Sequence, residues 1–226
     1  MHVPDGFIDA PTSVATGAVA AAGIAVCLRA ARRELDERTA PLAGLVAAYI
    51  FAVQMLNFPV GAGTSGHLLG GALAAVLVGP ATGVLCVSVV LIVQAVFFAD
   101  GGLTALGVNT VDMALVSVLV AYVVFRVLVR VLPPGRRSIV AAAAAAAFVS
   151  VPAAAMTFVG IYALGGTADV PLATVTAAMG GVHLLIGVGE AAITAFTVAS
   201  VVAVRPDLVR GASEQARQRH VTAVRV

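Results

Sequence analysis

Long apolar runs alternate along this chain with short polar or glycine-rich breaks, a spacing that predicts helices rather than strands. No Asp, Glu, Lys or Arg occurs from Ala40 to Ala99, and a helix that crosses a membrane needs about 20 apolar residues. Breakers divide that stretch. The segment NFPVGAGTSG, from Asn57 to Gly66, separates a span at 41–57 from one at 66–79, and Gly79-Pro80 turns the chain into another at 81–98. A run at 10–29 precedes these, and runs at 103–131, 138–164 and 172–204 follow. The expectation is an all-α, polytopic membrane helical bundle of about seven transmembrane helices over 1–204, with a short polar tail at 205–226.

Charge placement gives the bundle a direction. All thirteen basic residues are Arg. They all fall in three segments: Arg29 to Arg38, Arg126 to Arg137, and Arg205 to Arg225. Positive loops stay in the cytoplasm, and these segments follow the first, fifth and seventh expected helices. The N-terminus is therefore expected outside and the C-terminus in the cytoplasm, with the protein in the cytoplasmic membrane. This orientation gathers the polar and glycine-rich stretches at the outer ends of the helices. A formal net charge of +2 provides no clustered basic footprint for nucleic acid. Cys27 and Cys86 lack CxxC or Cys/His spacing and read as small hydrophobes.

The start of the chain, MHVPDGFID, lacks the basic and then apolar pattern of a secretory signal. It does place a histidine at residue 2. A free amine at Met1, the amide nitrogen of His2 and the His2 imidazole Nδ1 are adjacent nitrogen donors. Closing them on a metal forms a five-membered and a six-membered ring that share the amide nitrogen, which holds the donors in a plane. Planar nitrogen coordination suits Ni(II) or Cu(II) better than tetrahedral Zn(II). One more donor is needed. His67, in GTSGHLLGG, could supply it, or could be a polar residue satisfied at a helix end. His220 sits in the charged tail and reads as a solvated residue.

Four blocks in order then resemble the CbiM/NikM proteins, the substrate-binding components of energy-coupling factor transporters for cobalt and nickel. These blocks are MHVPDGFI at the start, NFPVGAGTSGHLLGG, QAVFFADGGLTALGVN, and GVHLLIGVGEAAIT. The resemblance covers residues 1 to about 194, nearly the whole membrane domain. It implies that the N-terminal segment plugs into the bundle. It also implies that Ni(II) or Co(II), the transported ligand, is held in a square plane by the Met1 amine, the His2 amide and imidazole, and His67. Residues 1–204 would then be the metal-capture domain, with no catalytic cofactor.

Around those ligands, Asn57, Thr64, Ser65, Gln94, Asp100 and Asn109 are candidates to orient them by hydrogen bonds, or simply to bond between helices. Asp112 and Glu190 are carboxylates inside expected spans, where acids are costly. Glu190 follows His183 by seven residues, which puts both on one helix face. A break at Gly180-Gly181 would bring His183 near the outer mouth.

No GxxxxGK[ST] loop for ATP is present, so the resemblance implies partners: a membrane coupling component, ATP-binding cassette ATPases, and a small accessory membrane protein expected as a separate chain. The expected role is a transporter subunit, not an enzyme. HLLIGVGE lacks the HExxH pair that an intramembrane metalloenzyme would need. The alternative is a self-sufficient ion-coupled cation transporter that uses Asp112 and Glu190.

Overall fold

The computed structural model describes residues 1–37, 39–56, 58–61 and 64–210. Seven α-helices carry nearly all of its regular structure. They are α1 (Ala10–Ala31), α2 (Thr39–Gln54), α3 (Gly71–Leu77), α4 (Pro80–Phe97), α5 (Leu106–Val131), α6 (Arg136–Gly165) and α7 (Leu172–Val204). A small antiparallel hairpin, β1 (Phe58–Gly61) and β2 (Thr64–Gly66), joins α2 to the approach to α3, with Phe58 opposite Gly66.

Local chemistry sets these boundaries. The Asp9 carboxylate accepts the Thr12 N–H at 2.8 Å, and Pro11 occupies the first turn of α1. These are a side-chain cap and a residue already restricted to helical φ. Gly79 precedes Pro80 with φ at +98°, and a Cβ there would run into the Arg210 guanidinium. In α6, Pro152 removes one helical hydrogen bond and leaves the Phe148 carbonyl without its usual donor. Gly187 of α7 lies against that carbonyl, where a Cβ would sit at 3.1 Å. Alanines at 142, 143, 146, 147, 154 and 155 are fully buried, so α6 and its neighbours approach at small-residue distance.

Five helices, α1, α4, α5, α6 and α7, are long and apolar enough to cross a membrane. Two expected spans are shorter than the hydropathy suggests. Helix α2 has 16 residues. Helix α3 has seven, all buried, and at 1.5 Å per residue it rises only about 10 Å. The return path after the hairpin is therefore a non-helical stretch, 67–70, followed by this short helix. Such backbone is tolerated at membrane depth where protein encloses it. There is no break at Gly180-Gly181: α7 runs unbroken through them.

The bundle has two chemically distinct ends. At one, the Glu34 carboxylate beyond α1 accepts the Thr82 N–H at 2.7 Å and the Thr82 hydroxyl at 2.9 Å, which satisfies the start of α4. Arg210 donates to the Val78 carbonyl at 2.9 Å at the same end. At the other end, residues 1–9 fold into the bundle. The Asp9 N–H donates to the Gly165 carbonyl at 2.7 Å, Ile8 bridges Gly166, and the Thr167 hydroxyl donates to the Gly6 carbonyl at 2.6 Å. Phe7 packs against Phe158 and Tyr162.

Candidate metal centre

The first three residues are among the most enclosed in the molecule: Met1 is 1% exposed, His2 4% and Val3 1%. Two elements hold them there. Asn109, at the start of α5, accepts the Val3 N–H at 2.8 Å, and the Gly102 N–H donates to the Val3 carbonyl at 2.8 Å. Farther out, Asp5 Oδ1 accepts both the N–H and the hydroxyl of Thr104, at 2.7 and 2.6 Å. Those two bonds hold the Asp5 carboxyl below its ordinary range.

The glycines of FADGGL make the seat possible. Gly101 has φ at +95°, and a side chain there would strike the His2 ring, with its Cβ 2.8 Å from Nδ1. A Cβ on Gly102 would collide with the Asp5 backbone. Backbone can approach this closely only where no side chain intervenes.

The His67 ring lies against that of His2. The two ring centroids are 4.5 Å apart at an interplanar angle of 34°. His67 is fully buried, and its Nδ1 lies 2.8 Å from the Leu68 carbonyl. A carbonyl only accepts, so Nδ1 carries the proton and Nε2 presents a lone pair. Among the described residues that Nε2 has no hydrogen-bond partner, and neither does His2 Nε2.

The segment carrying His67 is clamped on both sides. Glu190 on α7 accepts the Leu69 N–H at 2.8 Å and the Gly70 N–H at 2.6 Å. Gln54 at the end of α2 donates to the Leu69 carbonyl at 2.7 Å. Gln54 was not among the residues expected at the site, although a glutamine within the apolar run IFAVQML was the signal that could have found it.

Electrostatics favour neutral nitrogens. Burial lowers the Met1 amine from 8.0 to about 5, opposed by the Asp112 and Asp100 carboxylates. Burial, with the adjacent amine charge, lowers His2 to about 4. Asp100 Oδ2 lies 3.8 Å from His2 Nε2, on the rim of a cavity of about 450 Å³ that His2, Asp5 and Asp100 help to line.

The other candidate residues are distributed as follows. Gln94 is fully buried on α4, and its side-chain atoms have no hydrogen-bond partner among the described residues. His183 is fully buried on α7, with Nδ1 2.8 Å from the Met179 carbonyl, so it does not pair with Glu190. Thr64 and Ser65 fall on β2. Asn57 and His220 lie outside the described residues.

The fold and the sequence both match known proteins. The family model described as the cobalt uptake substrate-specific transmembrane region, CbiM, matches residues 2–208. A Haloquadratum walsbyi protein assigned to metal transport is 40% identical over 209 residues, covering 92% of this chain and 93% of its own. The fused nickel transport protein NikMN of Rhodobacter capsulatus is 37% identical over 221 residues; the match covers 92% of this chain and 64% of that longer protein. The crystal structure of a truncated transition metal transporter superposes with a TM-score of 0.83 at 27% identity, over 90% of this chain and 99% of that one. With five helices long and apolar enough to cross a membrane and these matches, the chain is a multi-pass membrane protein and belongs to the CbiM family.

Proposed function

We propose that this protein captures Ni(II) or Co(II) at its outer face and is the substrate-specific subunit of an ATP-driven energy-coupling factor transporter. The metal is held in a square plane by the Met1 amine, the His2 amide nitrogen, His2 Nδ1 and His67 Nε2. The observation that carries this reading is the His2–His67 pair, with both rings buried and 4.5 Å apart and the His67 lone pair unused. A free amine at Met1 completes the donor set, and burial keeps it unprotonated at neutral pH. With Nδ1 on the metal, the proton of His2 sits on Nε2, 3.8 Å from the Asp100 carboxylate, so that Asp100 supports this tautomer electrostatically.

The segregation of the polypeptide into two ends supports the seven-crossing topology in a modified form. Residues 67–77 pass back through the bundle as a non-helical stretch and a short helix, a return that would put the Arg-bearing segments on the cytoplasmic side. Energy then comes from partners at that side: a membrane coupling component and ATP-binding cassette ATPases, with a small accessory membrane protein. The ion-coupled alternative is disfavoured by Glu190, whose two oxygens are already engaged by backbone amides.

The test is to prepare the protein with its native Met1 amine and with an N-terminal extension, and to titrate each with Ni(II) and Co(II). The native form is expected to bind and the extended form to fail. Equal binding by both would sink the chelate.

A further inference from the structure

A divalent ion bound by one deprotonated amide and three neutral nitrogens carries one net positive charge. The proposed site buries that charge inside a membrane protein, where an uncompensated ion is costly. Some nearby group has to supply the opposite sign, and three carboxylates are candidates.

Glu190 is committed elsewhere, since each of its oxygens accepts a backbone N–H. Asp100 is 19% exposed at the mouth, where water screens its field. Asp112 differs from both. It is fully buried, and neither carboxylate oxygen has a hydrogen-bond partner among the described residues. A buried carboxylate left in that state is expensive unless it serves a charge.

Its position follows from the N-terminal seat. Asn109 holds Val3, and Asp112 lies three residues farther along the same helix, within a π-helical segment, Thr110–Val116. The amine end therefore comes to rest beside Asp112, whose charge acts on it. Single π turns of this kind widen the helix and re-aim side chains, often at functional sites.

We propose that Asp112 is the counter-ion of the bound metal: its carboxylate neutralises the cationic chelate without ligating it. This rests on the chelate proposed above. The site thereby matches the complex in charge as well as in donor geometry, and it favours an ion whose complex carries one net positive charge.

The test uses Ni(II) as probe and three proteins: wild type, Asp112→Asn, and wild type with an N-terminal extension. Asp112→Asn preserves shape and removes the charge, with an NH₂ in place of one oxygen. Its Ni(II) affinity is expected to fall by roughly tenfold or more. Its metal-free thermal midpoint is expected to stay level or rise, because a costly buried acid has gone. The Ni(II) d–d absorption of the saturated variant should match wild type. Wild-type affinity in Asp112→Asn overturns the counter-ion role, as does an affinity loss accompanied by a lower metal-free midpoint. A changed d–d spectrum overturns it too, by making Asp112 a ligand or a packing residue. The extended form separates the two readings. If it still binds, the chelate fails and the counter-ion with it; if it is disarmed while Asp112→Asn binds normally, only the counter-ion fails.

Discussion

Glu190 holds Gly70: its Oε1 accepts the Gly70 N–H at 2.6 Å while Oε2 accepts that of Leu69 at 2.8 Å. The contact joins chain positions 120 residues apart and ties α7 to the non-helical stretch that carries His67. Gly70 has φ at +75° and opens α3, so Glu190 also satisfies a donor at the start of a helix that has no side-chain cap of its own. Glu190→Gln keeps one acceptor but turns an NH₂ toward the other amide. We expect a loss of about 1–3 kcal/mol in stability, together with weaker Ni(II) binding because His67 loses its anchor. Thermal denaturation and metal titration of the same preparation check this; unchanged values for both would refute the clamp.

The second prediction concerns Gly102. A Cβ there meets the Asp5 backbone, and backbone cannot yield as a flexible side-chain tip does. Gly102→Ala should unseat the N-terminal segment while leaving α4 to α7 in place. Ni(II) binding should be lost or greatly reduced while helix content by circular dichroism is preserved. Retained affinity would show that the seat tolerates a side chain and that the close approach is not required.

Acid should release the same segment. The free amine titrates at 8.0 and the seated one at about 5, so between those values the released state holds the extra proton. Seating is therefore strongest above about pH 8, weakens as the pH falls, and levels off for this group below about 5. The difference corresponds to roughly 4 kcal/mol of seating energy. His2, lowered from 6.5 to about 4, extends the loss further into acid. The ¹³C-methyl signal of Met1 in metal-free protein should move from a buried to a solvated position as pH drops from 8 to 5. A signal unmoved across that interval would contradict the seating argument.

Most of the bundle is legible in the sequence because lipid-facing and protein-facing residues of long helices are both apolar. That same fact hid the nature of 66–79. Residues 68–78 are all buried in protein, so they are apolar whether or not they form a span, and a hydropathy window cannot distinguish a long helix from a non-helical stretch plus a seven-residue one. His2 and His67 were legible as candidates because a nitrogen chelate calls for particular atoms. Their 4.5 Å approach was not, since it depends on Asn109, Gly102 and Glu190 acting from three separate elements. Gln54 went unnoticed for a related reason: its partner is the Leu69 carbonyl, and a backbone atom leaves no trace in the residue pattern.

The proton count on metal binding tests the amide ligand directly. At pH 7.5 the seated amine and the His2 ring are already neutral, with values near 5 and 4. They release little when the metal arrives. The His2 amide does carry a proton, and it must lose it to become a ligand. About one proton per Ni(II) is therefore expected, whereas an exposed amine with its ordinary value near 8 would raise the count toward two. Calorimetric titration in buffers of different ionisation enthalpy gives this number. A count near zero would remove the amide from the coordination sphere and leave the two imidazoles and the amine as the only nitrogen donors.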